Sequence, residues 1–246
     1  MTRSDHSPAP PAILVSYVYW AKFQTMRGSR EFRDIAVDSG AFSAWKSGHP
    51  LRLDQYIGFA QRVRRDPKVV EVIALDVIGD GRASLLNALE MKRHGIEVVP
   101  VFHIGDDPGI LREYCSTWDK VGLSCRFGEP TRESFRWLDR VFADRWPHRF
   151  HSFGWMEPRL LLRYPFQSAD SSTWDSGVTC WGQWRTFGKL SVPGSNQNLR
   201  VEVDHYLRME DRVRTHWSRT FAAQGWKPPT LRLAAGARRF QGFRLW

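Results

Sequence analysis

Short apolar runs alternate with stretches of helical spacing along most of the chain. Ile35–Val37 is an apolar run that ends in Asp38, and Val69–Val77, rich in β-branched residues, carries Asp76 and runs into Ile78-Gly79-Asp80. Val98–Phe102 has the unbroken apolar pattern of a buried strand and stops at His103. Lys120–Ser124, Arg149–Phe153 and Phe166–Ala169 repeat the theme, the last one ending at Asp170. Between these runs, Leu53, Tyr56, Ile57 and Ala60 mark one face of a helix over 53–65. Ala83–His94 reads as a helix closed by Gly95, a residue type suited to the position just past a helix end. Pro108 opens another after Asp107, where its missing N–H costs nothing. Phe135, Leu138, Val141, Phe142 and Trp146 form the stripe of a helix from about Thr131, and Pro158–Arg163 is a short one. Residues 1–12 are polar and proline-rich and read as a flexible leader.

Strand and helix patterns follow one another every 20 to 35 residues or so, which predicts βαβ units and a parallel sheet. About seven strands fall between Tyr17 and Asp170, and an eighth is expected near Phe187–Val192. With 246 residues, this predicts an α/β protein built as an irregular (β/α)₈ TIM barrel over 13–200. A basic helix and tail over 201–246 would complete the barrel or contact nucleic acid. An open doubly wound sheet is the alternative. No Gly-x-Gly-x-x-Gly follows the first strand and no Walker-type loop occurs, so dinucleotide and P-loop chemistries lose their support.

Composition narrows the class without naming a chemistry. At 42% hydrophobic and 25% charged, the chain is ordinary for a globular protein. No apolar run reaches the roughly 18 residues of a membrane span, and no secretory signal opens the sequence. Cys115, Cys125 and Cys180 are too few and too scattered for a disulfide framework or a cysteine zinc site, which suits a cytoplasmic setting. The net charge of +10 is uneven: residues 1–178 carry 24 basic and 22 acidic side chains, residues 179–246 carry 12 and 4. Aromatics interleave with cations in that last quarter, around Arg185, Lys189, Arg238, Arg239 and Arg244. Cations that neutralise phosphates and rings that stack on bases suit a nucleic-acid surface. A solvated basic face with some rings packed inward is the plainer reading.

The most informative polar residues are those at strand ends. Asp38, Asp76, His103 and Asp170 stand where predicted strands finish, with Asp80 just beyond, and in a barrel those ends form the mouth of the active site. Taken singly, Asp38-Ser39-Gly40 reads as a turn, Asp170 as a helix cap and His103 as a hydrogen-bonded core residue. Taken together, converging carboxylates could bind a metal, act on a glycosidic bond, or hold a base by its ring N–H and amino groups.

The ordered set Val37-Asp38-Ser39-Gly40-Ala41-Phe42, Leu75-Asp76, Pro100-Val101-Phe102-His103-Ile104-Gly105, Val121-Gly122-Leu123-Ser124, His151-Ser152-Phe153-Gly154 and Ala169-Asp170-Ser171-Ser172-Thr173-Trp174 resembles the tRNA-guanine transglycosylase superfamily. The likeness, over about residues 13–190, is greatest to its DNA-acting branch, which inserts 7-deazaguanine bases into DNA in phages and bacteria. It implies an irregular barrel that exchanges guanine for a 7-deazapurine by double displacement; no cofactor and no metal are expected for this sequence. By motif, Asp170 would be the nucleophile and Asp38 the acid/base. Asp76, Ser39, Phe42, His103, Gly105, Gly122 and Leu123 would contact the base. Arg185, Lys189, Arg238, Arg239 and Arg244 are the expected nucleic-acid contacts, with DNA as partner and tRNA as the alternative. The Cys-x-Cys-x₂-Cys zinc cluster of the tRNA enzymes is absent, and Ala41 and Ser43 stand where they carry Gly and Gln.

Overall fold

The computed structural model describes residues 10–28, 31–124, 130–171, 183–184, 190–191, 196–223, 226 and 243–246, with backbone alone for 183–184, 190–191 and 196–202. The chain is an α/β protein with two parallel sheets. One holds β1 (Ile13–Ser16), β2 (Ile35–Asp38) and β3 (Val69–Val72) in the order β1-β2-β3. The other holds β4 (Val101–His103), β5 (Lys120–Ser124), β6 (Arg149–Phe153), β7 (Ser168–Ala169) and the C-terminal β10 (Arg244–Leu245) in the order β10-β7-β6-β5-β4. A parallel bridge between Ile73 and Val99 links them, and the Val99 N–H donates to Val72 O at 2.9 Å. All inter-strand pairings in both sheets are parallel. Such pairing needs crossovers, and helices supply them. These are α1 (Trp20–Arg27), α2 (Ala41–Ser47), α3 (Leu53–Val63), α4 (Gly81–Arg93), α5 (Pro108–Thr117), α6 (Arg132–Arg145) and α7 (Pro158–Leu161).

The period of two within each strand sorts side chains to opposite faces. Ile35, Val37, Val72, Phe102, Val121, Leu123, Phe150, Phe243 and Leu245 join Tyr56, Leu85, Leu111 and Phe142 of the helices in one large core. The other face is narrower and more polar. It carries Leu14, Ala36 and Trp246 in one small cluster, and Ile73, Val99, Val101 and Phe153 in another. Gly122 lies on this face for a steric reason: a Cβ there would come within 2.1 Å of the Phe153 ring.

Helix ends follow local chemistry. Asp80 accepts from Ala83 N–H at 2.9 Å, Asp107 from Gly109 N–H at 2.7 Å, and Thr131 and Ser134 form a reciprocal capping box. Gly95, at φ 72°, ends the turn after α4 in the left-handed region.

The eighth parallel strand is not where the apolar pattern puts it. Of that run, the described residues Leu190–Ser191 form β9, which pairs antiparallel with β8 (Gln183–Trp184) as a separate ribbon. The parallel partner of β7 is instead β10, at the chain's end, where Trp246 N–H donates to Ala169 O at 2.8 Å. Phe243, Leu245 and Trp246 are buried, so this end of the chain is core rather than tail. Before it, α8 (Asn196–Ala223) packs Met209, Val213 and Trp217 against the body, and the Trp217 indole donates to Leu161 O at 2.8 Å.

A candidate active site at the carboxyl ends of the strands

Two strand ends and the segment after β3, which stops at Val72 rather than running to Val77, bring three aspartates into one electrostatic neighbourhood. Asp38, the last residue of β2, accepts from the Gly40 N–H at 2.9 Å. Gly40 has φ 78°, and a Cβ there would meet Ser16 Oγ at 2.6 Å, so glycine is required by both conformation and space. Desolvation of the Asp38 carboxyl, then repulsion from Asp76, then repulsion from Asp170, push its pKa up to about 7. A carboxyl in that range carries or releases a proton at neutral pH.

Asp76 is held at both oxygens. Ser39 Oγ donates to Oδ1 at 3.3 Å, and His103 Nε2 lies 3.2 Å from Oδ2. Ser39 is fully buried and also accepts from Ala41 N–H at 3.2 Å, so it orients the carboxylate. His103 ends β4 between two acids: its backbone N–H donates to Asp106 Oδ2 at 2.9 Å, and its Nδ1 is 3.7 Å from the same oxygen. Burial alone would lower the imidazole pKa, but hydrogen bonds to Asp106 and Asp76 outweigh it and raise it to about 9. The ring is therefore an imidazolium at neutral pH. Gly105, at φ 103°, makes the turn that brings Asp106 back to His103.

Asp170 follows β7. His151 Nε2 lies 3.1 Å from its Oδ1, and the Gly154 N–H donates to the same oxygen at 3.2 Å. His151 is 1% exposed and its Nδ1 sits 2.8 Å from Ser168 Oγ, so the ring is fixed at both nitrogens. A carboxylate oriented through one oxygen, beside a carboxyl poised near neutrality, is suited to attack at carbon with proton transfer.

Asp38, Ser39, Asp76, His103 and Asp170 thus stand together, and Gly105 shapes the turn beside them. Phe42, in the first turn of α2, is 36% exposed with its ring 5.9 Å from that of Trp45. Neither Gly122 nor Leu123 faces the site with a side chain: the Phe153 ring covers Gly122, and the Leu123 side chain is buried toward the helices. Asp80 caps α4. Arg244 opens β10 at the opposite strand ends, 3.5 Å from Asp34. Arg185, Lys189, Arg238 and Arg239 lie outside the described residues.

Four contributing residues escape the strand-end pattern. His151 sits in mid-strand, where its signals are a polar residue between Phe150 and Phe153 and its place in the His151-Ser152-Phe153-Gly154 motif. Ser168 is two residues before Asp170, hence on the same face. Asp106 is signalled only by the glycine turn after His103. Gly81 leaves room for the Asp106 carboxyl, whose carbon would be 2.8 Å from a Cβ. Among the described residues, no group of three or more His, Cys, Asp or Glu side chains is arranged to hold a metal ion. No described helix is long and apolar enough to cross a membrane. Compared with protein-family models, curated proteins and solved structures, the chain matches none.

Proposed function

We propose that this chain is a base-exchanging transglycosylase that replaces guanine in DNA with a 7-deazaguanine base through a covalent Asp170–deoxyribose ester. The observation that carries the reading is the convergence of Asp38 at the end of β2, Asp76 in the segment after β3 and Asp170 just after β7, close enough that the other two raise the pKa of Asp38. The preference for guanine exchange, and for DNA, rests on the motif resemblance. We further infer that the eight parallel strands close as an irregular (β/α)₈ barrel. In support, β10 extends the larger sheet, and Trp246 at its end packs with Ala12 and Ala36 beside the first sheet.

In the first displacement, Asp170 Oδ2 attacks C1′ while the bond from C1′ to N9 of guanine breaks. His151 and the Gly154 N–H hold Oδ1 and so aim the other oxygen. The protonated Asp38 gives its proton to the departing purine, whose negative charge would otherwise oppose cleavage. In the second displacement, ionised Asp38 takes the N9 proton of the incoming base, N9 attacks C1′, and the Asp170 carboxylate is released. Two inversions at one carbon retain the β configuration. Asp76 keeps acceptor capacity on both oxygens for donors on a purine edge, and the His103 imidazolium offsets part of the local negative charge. Phe42 offers a partly exposed ring face at the mouth. The target nucleotide leaves the duplex stack to reach these groups, at a cost of a few kcal/mol.

Nucleoside mass spectrometry of DNA and tRNA incubated with 7-deazaguanine bases tests this. Incorporation into DNA, lost by at least about 10³-fold in Asp170→Asn at unchanged thermal stability, is expected. Incorporation into tRNA alone moves the substrate to RNA, and full activity in Asp170→Asn removes Asp170 from the nucleophile role.

A further inference from the structure

At the other ends of the same strands lies a cavity of about 980 Å³, within the range of small-molecule sites. Its walls include Glu71, Lys120, Arg149, Gln167 and Arg244 from five strands or their starts. The register makes Lys120 and Arg149 direct neighbours on β5 and β6, both on the face away from the helices. Like charges side by side on one face of a sheet repel, and an apolar pair would cost nothing. Lys120 is 9% exposed and bonds Glu71 Oε1 at 2.5 Å. Burial pushes its pKa down, Glu71 pulls it up, and Arg244 and Arg149 push it down further. Arg244 is shared with Asp34 at 3.5 Å. Among the described residues, no carboxylate or carbonyl pairs with the Arg149 guanidinium. Beside Lys120, the second oxygen of the same carboxylate, Glu71 Oε2, is buried with no hydrogen-bond partner. The site therefore sets the guanidinium of Arg149 beside a Lys120–Glu71 ion pair whose carboxylate keeps one unfilled acceptor.

We propose that this cavity is a second binding site, which takes the phosphate group of a small molecule on Lys120, Arg149 and Arg244 and accepts a ligand hydroxyl at Glu71. Phosphate matches the forked arginine donors bidentately, and a protonated phosphate or sugar hydroxyl supplies the donor that Glu71 Oε2 lacks. A nucleic-acid backbone is the weaker fit, because Lys120 and Glu71 are recessed among the strands. The inference is independent of the exchange reaction, since Asp170 and Asp38 stand at the opposite strand ends.

The full chain is titrated with inorganic phosphate and with ribose 5-phosphate by calorimetry and thermal unfolding, against chloride at equal ionic strength. Saturable binding that raises the melting temperature is expected, with tighter binding of the sugar phosphate if the whole cavity is used. Arg149→Gln should weaken it at least about tenfold, the scale of one charge-assisted hydrogen bond. Without ligand, that variant should melt at or above the wild type, because a like-charge neighbour has been removed. Asp170→Asn should bind phosphate as the wild type does, whatever its exchange activity. Arg244→Gln provides the second variant should the first fail to fold, and should weaken phosphate binding likewise. A response that chloride reproduces, binding undiminished in the variants, a lower melting temperature for unliganded Arg149→Gln, or displacement of the sugar phosphate by a DNA oligonucleotide overturns the proposal.

Discussion

Asp38 and His103 illustrate how far neighbours outweigh residue type. A carboxyl ordinarily near 3.8 stands at about 7, and an imidazole ordinarily near 6.5 stands at about 9. Both folded-state values lie above the unfolded ones, so both contributions are present at low pH and are lost as pH rises. For Asp38 the window runs from about 4 to 7, and for His103 from about 6.5 to 9. Asp38→Asn should remove the first window. The stability difference between wild type and variant, followed by denaturant melts from pH 4 to 8, should change by up to about 1.4 kcal/mol per pH unit. A flat difference would show that Asp38 titrates at its ordinary value. Asp38 and Asp76 were recognisable in the sequence because each closes or follows an apolar run. Their coupling was not, since it depends on how strands far apart in the chain are set side by side.

At the scale of elements, a glycine at the start of α4 makes the His103 clamp possible. Alanine usually exceeds glycine in a helix by up to about 1 kcal/mol, so Gly81→Ala is favourable by propensity alone. Here its Cβ would lie 2.8 Å from the Asp106 carboxyl carbon and displace the group that charges His103. Gly81→Ala should bring the His103 pKa down from about 9, observed by NMR titration of its ring protons. An unchanged titration would mean that Asp106 moves aside without releasing the ring. Helix starts at Asp107 and Thr131 and the strands Lys120–Ser124 and Arg149–Phe153 could be read directly, because caps and period-two burial are local. The Leu190–Ser191 segment shows the opposite case: an apolar run that matches a core strand in pattern but pairs elsewhere. Burial of a short run is settled by its partners, and Leu190 and Ser191 find theirs in Gln183–Trp184.

For the whole molecule, the last four residues hold an edge of the larger sheet. Phe243, Leu245 and Trp246 are each under 10% exposed, and losing three such side chains at about 2–4 kcal/mol each approaches the entire stability of a typical domain. Deletion of 243–246 should therefore abolish cooperative thermal unfolding by circular dichroism, whereas retention of the wild-type transition would show that β10 is dispensable. The aromatic and basic composition of this end suggested a surface for nucleic acid. Among the described residues of this end, the fold uses the Phe243 and Trp246 rings as core, and places Arg244 beside Asp34 at the strand ends remote from the aspartates. Local information sufficed for the α/β class, the strand runs between Ile35 and Ala169, the helices from Leu53 onward to Leu161 and the carboxylates near strand ends, because periodicity and capping act between residues close in sequence. β1, α1 and α2 were not read from it. Tertiary structure alone supplied the eighth parallel strand, the fixing of Asp170 by His151, the charging of His103 and the cation cluster around Lys120. Each of these depends on pairing or electrostatics between segments distant in the chain, and no pattern along it records which segments will meet.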